Sequence, residues 1–240
     1  MTDNEPRGIN SSALKIIAII AMTCNHIAHV FGGNITNGCI YAAVYAAGGL
    51  TFPVMAFLLV EGYYKTKSVY KYAMRLLIFG CVSLVPFWLA FGEFYLNVLF
   101  TLLLGLIALY LYDLLENRRA LFLILFILIF AAGAYCDWAY IGVPFIFAVR
   151  LARKINNKAA RAGLPYLIII FQIAVFIMPD CFDPALKSAA LNDLYFMIIS
   201  LLSAPLVYFY NGKRGFKMKY AFYAYYPAHL IILVLVKALM

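Results

Sequence analysis

The chain has 240 residues, of which 66% are hydrophobic and 12% charged, and it carries a formal net charge of +9. An average soluble domain is roughly 45–50% apolar and about 25% charged, so a soluble fold would expose greasy surface of a kind that soluble monomers avoid. The apolar residues fall in runs close to the about 20 residues that cross a hydrocarbon core, without strict alternation, which excludes a membrane barrel and predicts helices.

Nine hydrophobic segments follow in chain order, at 13–31, 40–63, 72–91, 96–115, 120–136, 138–152, 164–178, 192–210 and 220–238. Asn10, Ser11 and Ser12 offer an N-cap to the first segment. Residues 34–38 read as a turn before the second. The sixth segment is short and is expected to be a re-entrant or tilted helix. Asn156, Asn157 and Lys158 end it. Residues 179–193 form the longest polar connection and are expected to carry a surface helix. The fold class is therefore an all-α polytopic membrane protein, a single domain over 1–240, with about nine helical segments. The start shows no cleavable signal, and the first apolar run is long enough to remain as an anchor.

Charge placement argues against nucleic acid and for a membrane topology. Seventeen of the nineteen Lys and Arg residues fall on alternate connections, and only Lys187 and Lys237 fall on the other side. By the positive-inside rule the protein is a multi-pass protein of the cell's inner, cytoplasmic membrane, with the N-terminus in the cytoplasm and the C-terminus outside. The five cysteines have no metal-ligand spacing. An outer disulfide joining Cys136 to Cys181 and ordinary membrane-helix cysteines both remain open.

Ionisable groups at membrane depth are costly and are functional candidates for that reason. The set is His26, His29, Glu61, Asp113 and His229. His26 lies about 16 Å along the first helix from Lys15, and His229 about 15 Å along the last helix from Lys219. Both helices run in the same direction, so the two imidazoles are expected at one depth, slightly past the middle. Each also has a structural reading, as a histidine that only bonds a neighbouring helix. His29 reads as structural or interfacial. Pro227 breaks a backbone bond two residues before His229 and frees the carbonyl of Tyr223. The stretch 223–229 is then a kinked helix carrying Tyr225 and Tyr226. Glu61 is expected to pair with Lys65 or with a base such as Arg75, and Asp113 to be interfacial. Asn97 and the Asp137-Trp138 pair are further outer-side candidates. His26 and His29 share a helix face, but without a further ligand cluster no metal is expected.

Several strings, read together, resemble the TraX family of membrane proteins. One runs from Leu14-Lys15-Ile16-Ile17-Ala18 to Cys24-Asn25-His26-Ile27. A second runs from Gly49-Leu50-Thr51-Phe52-Pro53 through Val60-Glu61-Gly62-Tyr63. Others are Arg75-Leu76-Leu77-Ile78-Phe79, Asn97-Val98-Leu99-Phe100-Thr101 and Tyr225-Tyr226-Pro227-Ala228-His229. The family is named for a plasmid-encoded protein that acetylates the N-terminus of conjugative pilin. It also looks related to the acyltransferase-3 and heparan-glucosaminide acetyltransferase group, which moves acyl groups from cytoplasmic coenzyme A to an acceptor across the membrane. The basic residue eleven before His26 resembles the acyltransferase-3 pattern, with Lys15 where Arg is usual. Lys71 and Arg75 resemble its basic pair. Asn25 stands where many TraX-like chains have Asp, and Gly49 where many have Arg.

The resemblance implies a membrane acyltransferase taking an acetyl group from acetyl-CoA to an acceptor amine or hydroxyl at or beyond the outer face. His26 would be the general base and His229 would orient groups, hold the acyl oxygen or share the proton. Lys15, Lys71 and Arg75 would hold the donor's phosphates. Asn25, Glu61, Asn97 and Tyr226 would bind or orient substrate. Membrane lipids surround it, and the acceptor is a peptide, glycan, lipid or small molecule. The rival is a small transporter or lipid translocator that uses the same buried His and Glu as a proton relay. A third reading is an assembly scaffold that binds no small ligand.

Overall fold

The computed structural model describes residues 8–217 and 219–240. Among them nine apolar helices run in chain order: α1 (Ser11–Asn34), α2 (Gly38–Lys65), α3 (Val69–Phe91), α4 (Val98–Leu114), α5 (Arg119–Gly133), α6 (Ala139–Ala152), α7 (Lys158–Asp180), α8 (Lys187–Tyr208) and α9 (Tyr220–Leu239). Each expected segment falls on one of them. Six are long and apolar enough to cross a membrane, and α4, α5 and α6 are shorter, so the all-α membrane fold holds and the number nine is approximate. Arg7, one of the bases assigned to the inner side, lies outside the described residues.

Short polar side chains start these helices by accepting amide protons that have no partner in the first turn. Asn10 accepts from Ala13 N at 2.9 Å. Asn37 accepts from Cys39 and Ile40, Ser68 from Lys71 and Asn157 from Ala160. Gly92 ends α3 with a φ of 74°, its N–H bonded to Trp88 O at 2.8 Å; this left-handed conformation favours glycine.

Helix α9 shows how the sequence places its faces. Tyr223, Tyr226, His229, Leu230 and Leu233 are buried at helical spacing, while Ile231, Ile232, Leu235 and Val236 are exposed. The buried stripe packs on α3 and α1. Helix α5 is the opposite case. Only Phe122 and Gly133 are buried in it, and Leu123, Ile124, Ile127 and Leu128 point outward. An apolar outer face of this extent belongs against lipid.

The short sixth segment is an interior helix. α6 is about 21 Å long and lies against α2, α4 and α5, with Ile141, Val143, Phe145 and Ile146 buried. Two details differ from the sequence expectation. Residues 179–193 hold no separate surface helix: one helical turn at Met178–Asp180 is followed by turns until Lys187, and residues 187–193 are the partly exposed start of α8. All five cysteines are free thiols, so Cys136 and Cys181 are not bridged; Cys136 is buried and bonds Ala132 O at 3.8 Å.

Candidate functional site

Two cavities lie toward opposite ends of the bundle, with a constriction between them. The first, of about 300 Å³, is lined by Lys15, Lys65, Arg75 and Arg214 together with Glu61, Tyr72 and Tyr223. It marks the basic end. Lys15 comes from the start of α1, Glu61 and Lys65 from the end of α2, and Arg75 from the start of α3. Lys65 Nζ pairs with Glu61 at 3.0 Å and also donates to Tyr210 Oη and Gly212 O, each at 3.2 Å. Lys15, Arg75 and Arg214 supply the remaining positive charge. The Arg75 guanidinium sits over the Tyr72 ring at 5.3 Å, and its buried Nε has no hydrogen-bond partner among the described residues. Such a donor beside a cavity is suited to an anion.

The constriction has a volume of about 20 Å³ and is apolar apart from Thr51 and Tyr226. It shares Met55, Leu99, Leu102 and Phe222 with the basic cavity and Met22, Thr51, Phe52 and Val98 with the far one. The constriction thus shares wall residues with both cavities and lies between them. Two of its narrowing side chains are methionines, which repack easily.

The far cavity, of about 340 Å³, is lined by Asn25, His26, His29, Tyr45, Tyr95, Asp137, Trp138, Gln172 and Asp193. His26 is part of its wall, and His229 lies directly against His26. They are 9% and 5% exposed, and His26 Nδ1 lies 2.7 Å from His229 Nε2. The rings are 4.9 Å apart and 17° from parallel. On its other side His229 Nδ1 lies 2.9 Å from the Tyr225 carbonyl. A carbonyl oxygen only accepts, so with both rings neutral His229 Nδ1 carries the proton and His229 Nε2 accepts from His26 Nδ1. The chain of bonds leaves His26 Nε2 with its lone pair. Tyr225 supports the arrangement further: its ring stacks on His229 at 5.0 Å and its hydroxyl is 2.7 Å from Thr23 Oγ1 on α1. The expected loosening at Pro227 concerned the Tyr223 carbonyl; the carbonyl that His229 engages is that of Tyr225, four residues back on its own helix.

Asn25 lies in the far cavity one position from His26, and its Nδ2 donates to Tyr45 O at 2.8 Å. Gly48 makes this contact feasible, because a Cβ there would collide with the Asn25 side chain. Gly49 has no room either: its Cβ would run into the Phe196 carbonyl on α8. An Arg at position 49 would need α2 and α8 to separate. Tyr45 donates to Asp193 at 3.0 Å. Asp137, in the connection between α5 and α6, accepts from Trp138 N–H at 2.9 Å, and burial pushes its carboxyl up to about 6.

The other sequence candidates fall elsewhere. Glu61 is at the basic end and pairs with Arg153 as well as Lys65. Lys71 begins α3 but is absent from the cavity lining, unlike Arg75. Asn97 is fully buried and caps α4, accepting from Leu99 N at 3.1 Å and donating to Gly80 O at 2.9 Å. Asp113 is more than interfacial: it pairs with buried Arg150 and accepts from Tyr63 Oη at 2.6 Å. Sequence reasoning missed Arg214 and Tyr72 at the basic cavity, and Tyr45, Gln172 and Asp193 as a group at the far one. They come from segments whose neighbours only the fold reveals.

Comparisons with known proteins agree with this picture of the whole chain. A family model described as TraX protein matches residues 10–237. Among curated proteins, the "Probable fimbrial assembly protein FimC, serogroup H1" of Dichelobacter nodosus is 36% identical over 248 residues, covering 95% of this chain and 96% of that protein. No solved structure matches.

Proposed function

The chain belongs to the TraX family, and on that premise we propose that it is a membrane-embedded acyltransferase that moves an acetyl group from acetyl-CoA to an acceptor amine or hydroxyl. The observation that carries this reading is the buried bond between His26, on the wall of the far cavity, and His229. A base held there meets an acyl donor from one end and an acceptor from the other. The pattern of Lys15 eleven residues before His26, which resembles the acyltransferase-3 group, supports the same assignment.

In this reading the basic end faces the cytoplasm of a cell with the protein in its inner membrane. Lys15, Arg75 and Arg214 hold the phosphates of coenzyme A, and Lys71 adds positive charge at the rim. The thioester reaches the constriction, between Met22 and Met55. His26 Nε2 takes the proton of the acceptor as its nitrogen or oxygen attacks the thioester carbon. The carbon–sulfur bond then breaks and the thiolate recovers the proton from His26. His229 acts as a positioning residue, fixing the tautomer through the Tyr225 carbonyl. Glu61 sets Lys65 and Arg153, Asn25 sets the Tyr45 segment, and Asn97 sets the start of α4. The relative's name refers to fimbrial assembly, so a fimbrial subunit is the first acceptor to test, offered through its amine at the far cavity beside Asp137 and Asp193.

The test is a purified assay with acetyl-CoA labelled in the acetyl group, following both thiol release and label transfer to fimbrial-subunit peptides. The expected result is transfer by the native protein and its loss in His26→Gln. If the native protein binds and turns over no acetyl-CoA but carries protons into liposomes in a His26-dependent manner, the transporter reading replaces this one.

A further inference from the structure

We propose that the Tyr226 hydroxyl, at the mouth of α4, is the oxyanion donor of this site; the inference rests on the acyltransferase reading above and assigns a role that His26 and His229 leave open. Acyl transfer passes through a tetrahedral intermediate, and its negative oxygen needs donors fixed in advance in a dry place. Both histidine ring bonds on the His229 side are used within the relay, so the pair supplies the base and leaves the oxygen unattended.

Tyr226 has the properties that this task requires. It is 3% exposed, and its Oη is buried with no hydrogen-bond partner among the described residues. Buried hydroxyls without a partner are rare in folded proteins, and a retained one calls for an explanation. It lines the constriction, which the proposed function gives to the thioester. Its ring centroid is 6.3 Å from that of His26 and 5.6 Å from that of His229, so the phenol packs directly against the histidine pair.

The start of α4 supplies the second half. The first amides of a helix have no partners within it and carry the positive end of the helix dipole. Asn97 takes up Leu99 N–H with its side chain and Phe100 N–H with its carbonyl. Val98, the first residue of α4, lines both the constriction and the far cavity, so this end of the helix borders the space that Tyr226 lines. Asn97 is itself anchored to Gly80 on α3 at 2.9 Å, which holds the opening turn of α4 against movement during reaction.

In the proposed step the acceptor lone pair forms the new bond to the thioester carbon and the C=O π pair moves onto oxygen. Tyr226 O–H donates a hydrogen bond to that oxyanion and keeps its proton. The pair returns as the carbon–sulfur bond breaks, and the proton that His26 took passes to the departing thiolate.

Two measurements test this. In the first, Tyr226→Phe keeps the ring and removes only the hydroxyl. The expected result is a fall in kcat of about 10²–10³-fold, the range for losing one oxyanion donor, with KM for acetyl-CoA and the pH profile of the remaining activity unchanged. In the second, acetyl-CoA with a ¹³C-labelled carbonyl is bound to His26→Gln protein, and its C=O stretch is recorded with and without the Tyr226→Phe change. The expected result is a lower stretching frequency when the hydroxyl is present. A near-native kcat in Tyr226→Phe with an unchanged carbonyl stretch would remove Tyr226 from this role and leave the acyltransferase reading standing. A native protein that neither binds acetyl-CoA nor releases thiol would overturn that reading and this inference together.

Discussion

His26 Nδ1 and His229 Nε2 are 2.7 Å apart although 203 residues separate them in the chain. The bond joins the first helix to the last and, through the Tyr225 carbonyl, fixes which nitrogen of His26 is bare. His26→Gln keeps a polar side chain but has no basic nitrogen. Its acyl transfer is expected to fall by about 10²–10⁴-fold, as for loss of a general base, while coenzyme A binding and thermal stability remain. His229→Ala keeps the base but releases its tautomer, and is expected to lose less. The check is turnover of both variants beside coenzyme A binding by calorimetry. Near-native transfer by His26→Gln would move the base to His229.

The basic cavity separates two residues that the sequence treats alike. Arg75 lines it with an unpartnered Nε, and Lys71 does not line it. Arg75→Glu is therefore expected to weaken coenzyme A binding strongly, and Lys71→Glu to weaken it much less. Arg214→Glu should resemble Arg75→Glu. Binding to the native protein should also weaken with added salt, because partly exposed charge contacts are screened. Equal losses from Arg75→Glu and Lys71→Glu would mean that coenzyme A is drawn by the general charge of this end and not held in the cavity.

The long apolar runs and the alternating bases made the helices legible, because lipid leaves the backbone few alternatives. The equal depth of His26 and His229 was also legible, from helix rise and two basic markers. Their direct bond was not, since depth says nothing of rotation about the helix axis. Glu61 was expected beside Lys65 or Arg75, and it has Lys65 and Arg153. Arg153 comes from the connection after α6, so only the fold brings it there. Asp113 looked interfacial because its neighbours in sequence are polar; its partner Arg150 is buried in α6. The absence of room at Gly49 depends on the backbone of α8 and leaves no trace in the local string.

Orientation is open to a direct measurement. The basic end is expected inside the cell and the far cavity outside. Position 215 is a poor labelling site, since Gly215 has a φ of 68° and a side chain there would strike Ser12. Phe216 is 64% exposed and serves instead, with the exposed Ala185 as its counterpart. In a cysteine-free background, Ala185→Cys should react with a membrane-impermeant maleimide on intact cells, and Phe216→Cys only after lysis. The reverse pattern would invert the topology and place the basic cavity outside, away from cytoplasmic coenzyme A.

Asp137 provides a pH test of the far cavity. Its carboxyl is pushed up to about 6 from the usual 3.8, with burial as the main cause and the Trp138 N–H acting in the other direction. A raised carboxyl pKa means that the folded protein holds a proton which the unfolded chain has lost between these two values. Stability is then highest below about 4, falls as pH rises toward 6, and is flat above. Asp137→Asn removes the charge and keeps the size. It is expected to match the native protein in thermal unfolding near pH 4 and to melt higher at pH 7.5, where the native carboxylate is ionised and buried. The same substitution removes a negative group from the acceptor's side of the route, so an amine acceptor should show a higher KM at pH 7.5. Thermal unfolding at both pH values and acceptor titrations at pH 7.5 separate the two effects. A variant no more stable than the native protein at pH 7.5 would mean that water reaches Asp137, and would take away the basis for its raised pKa.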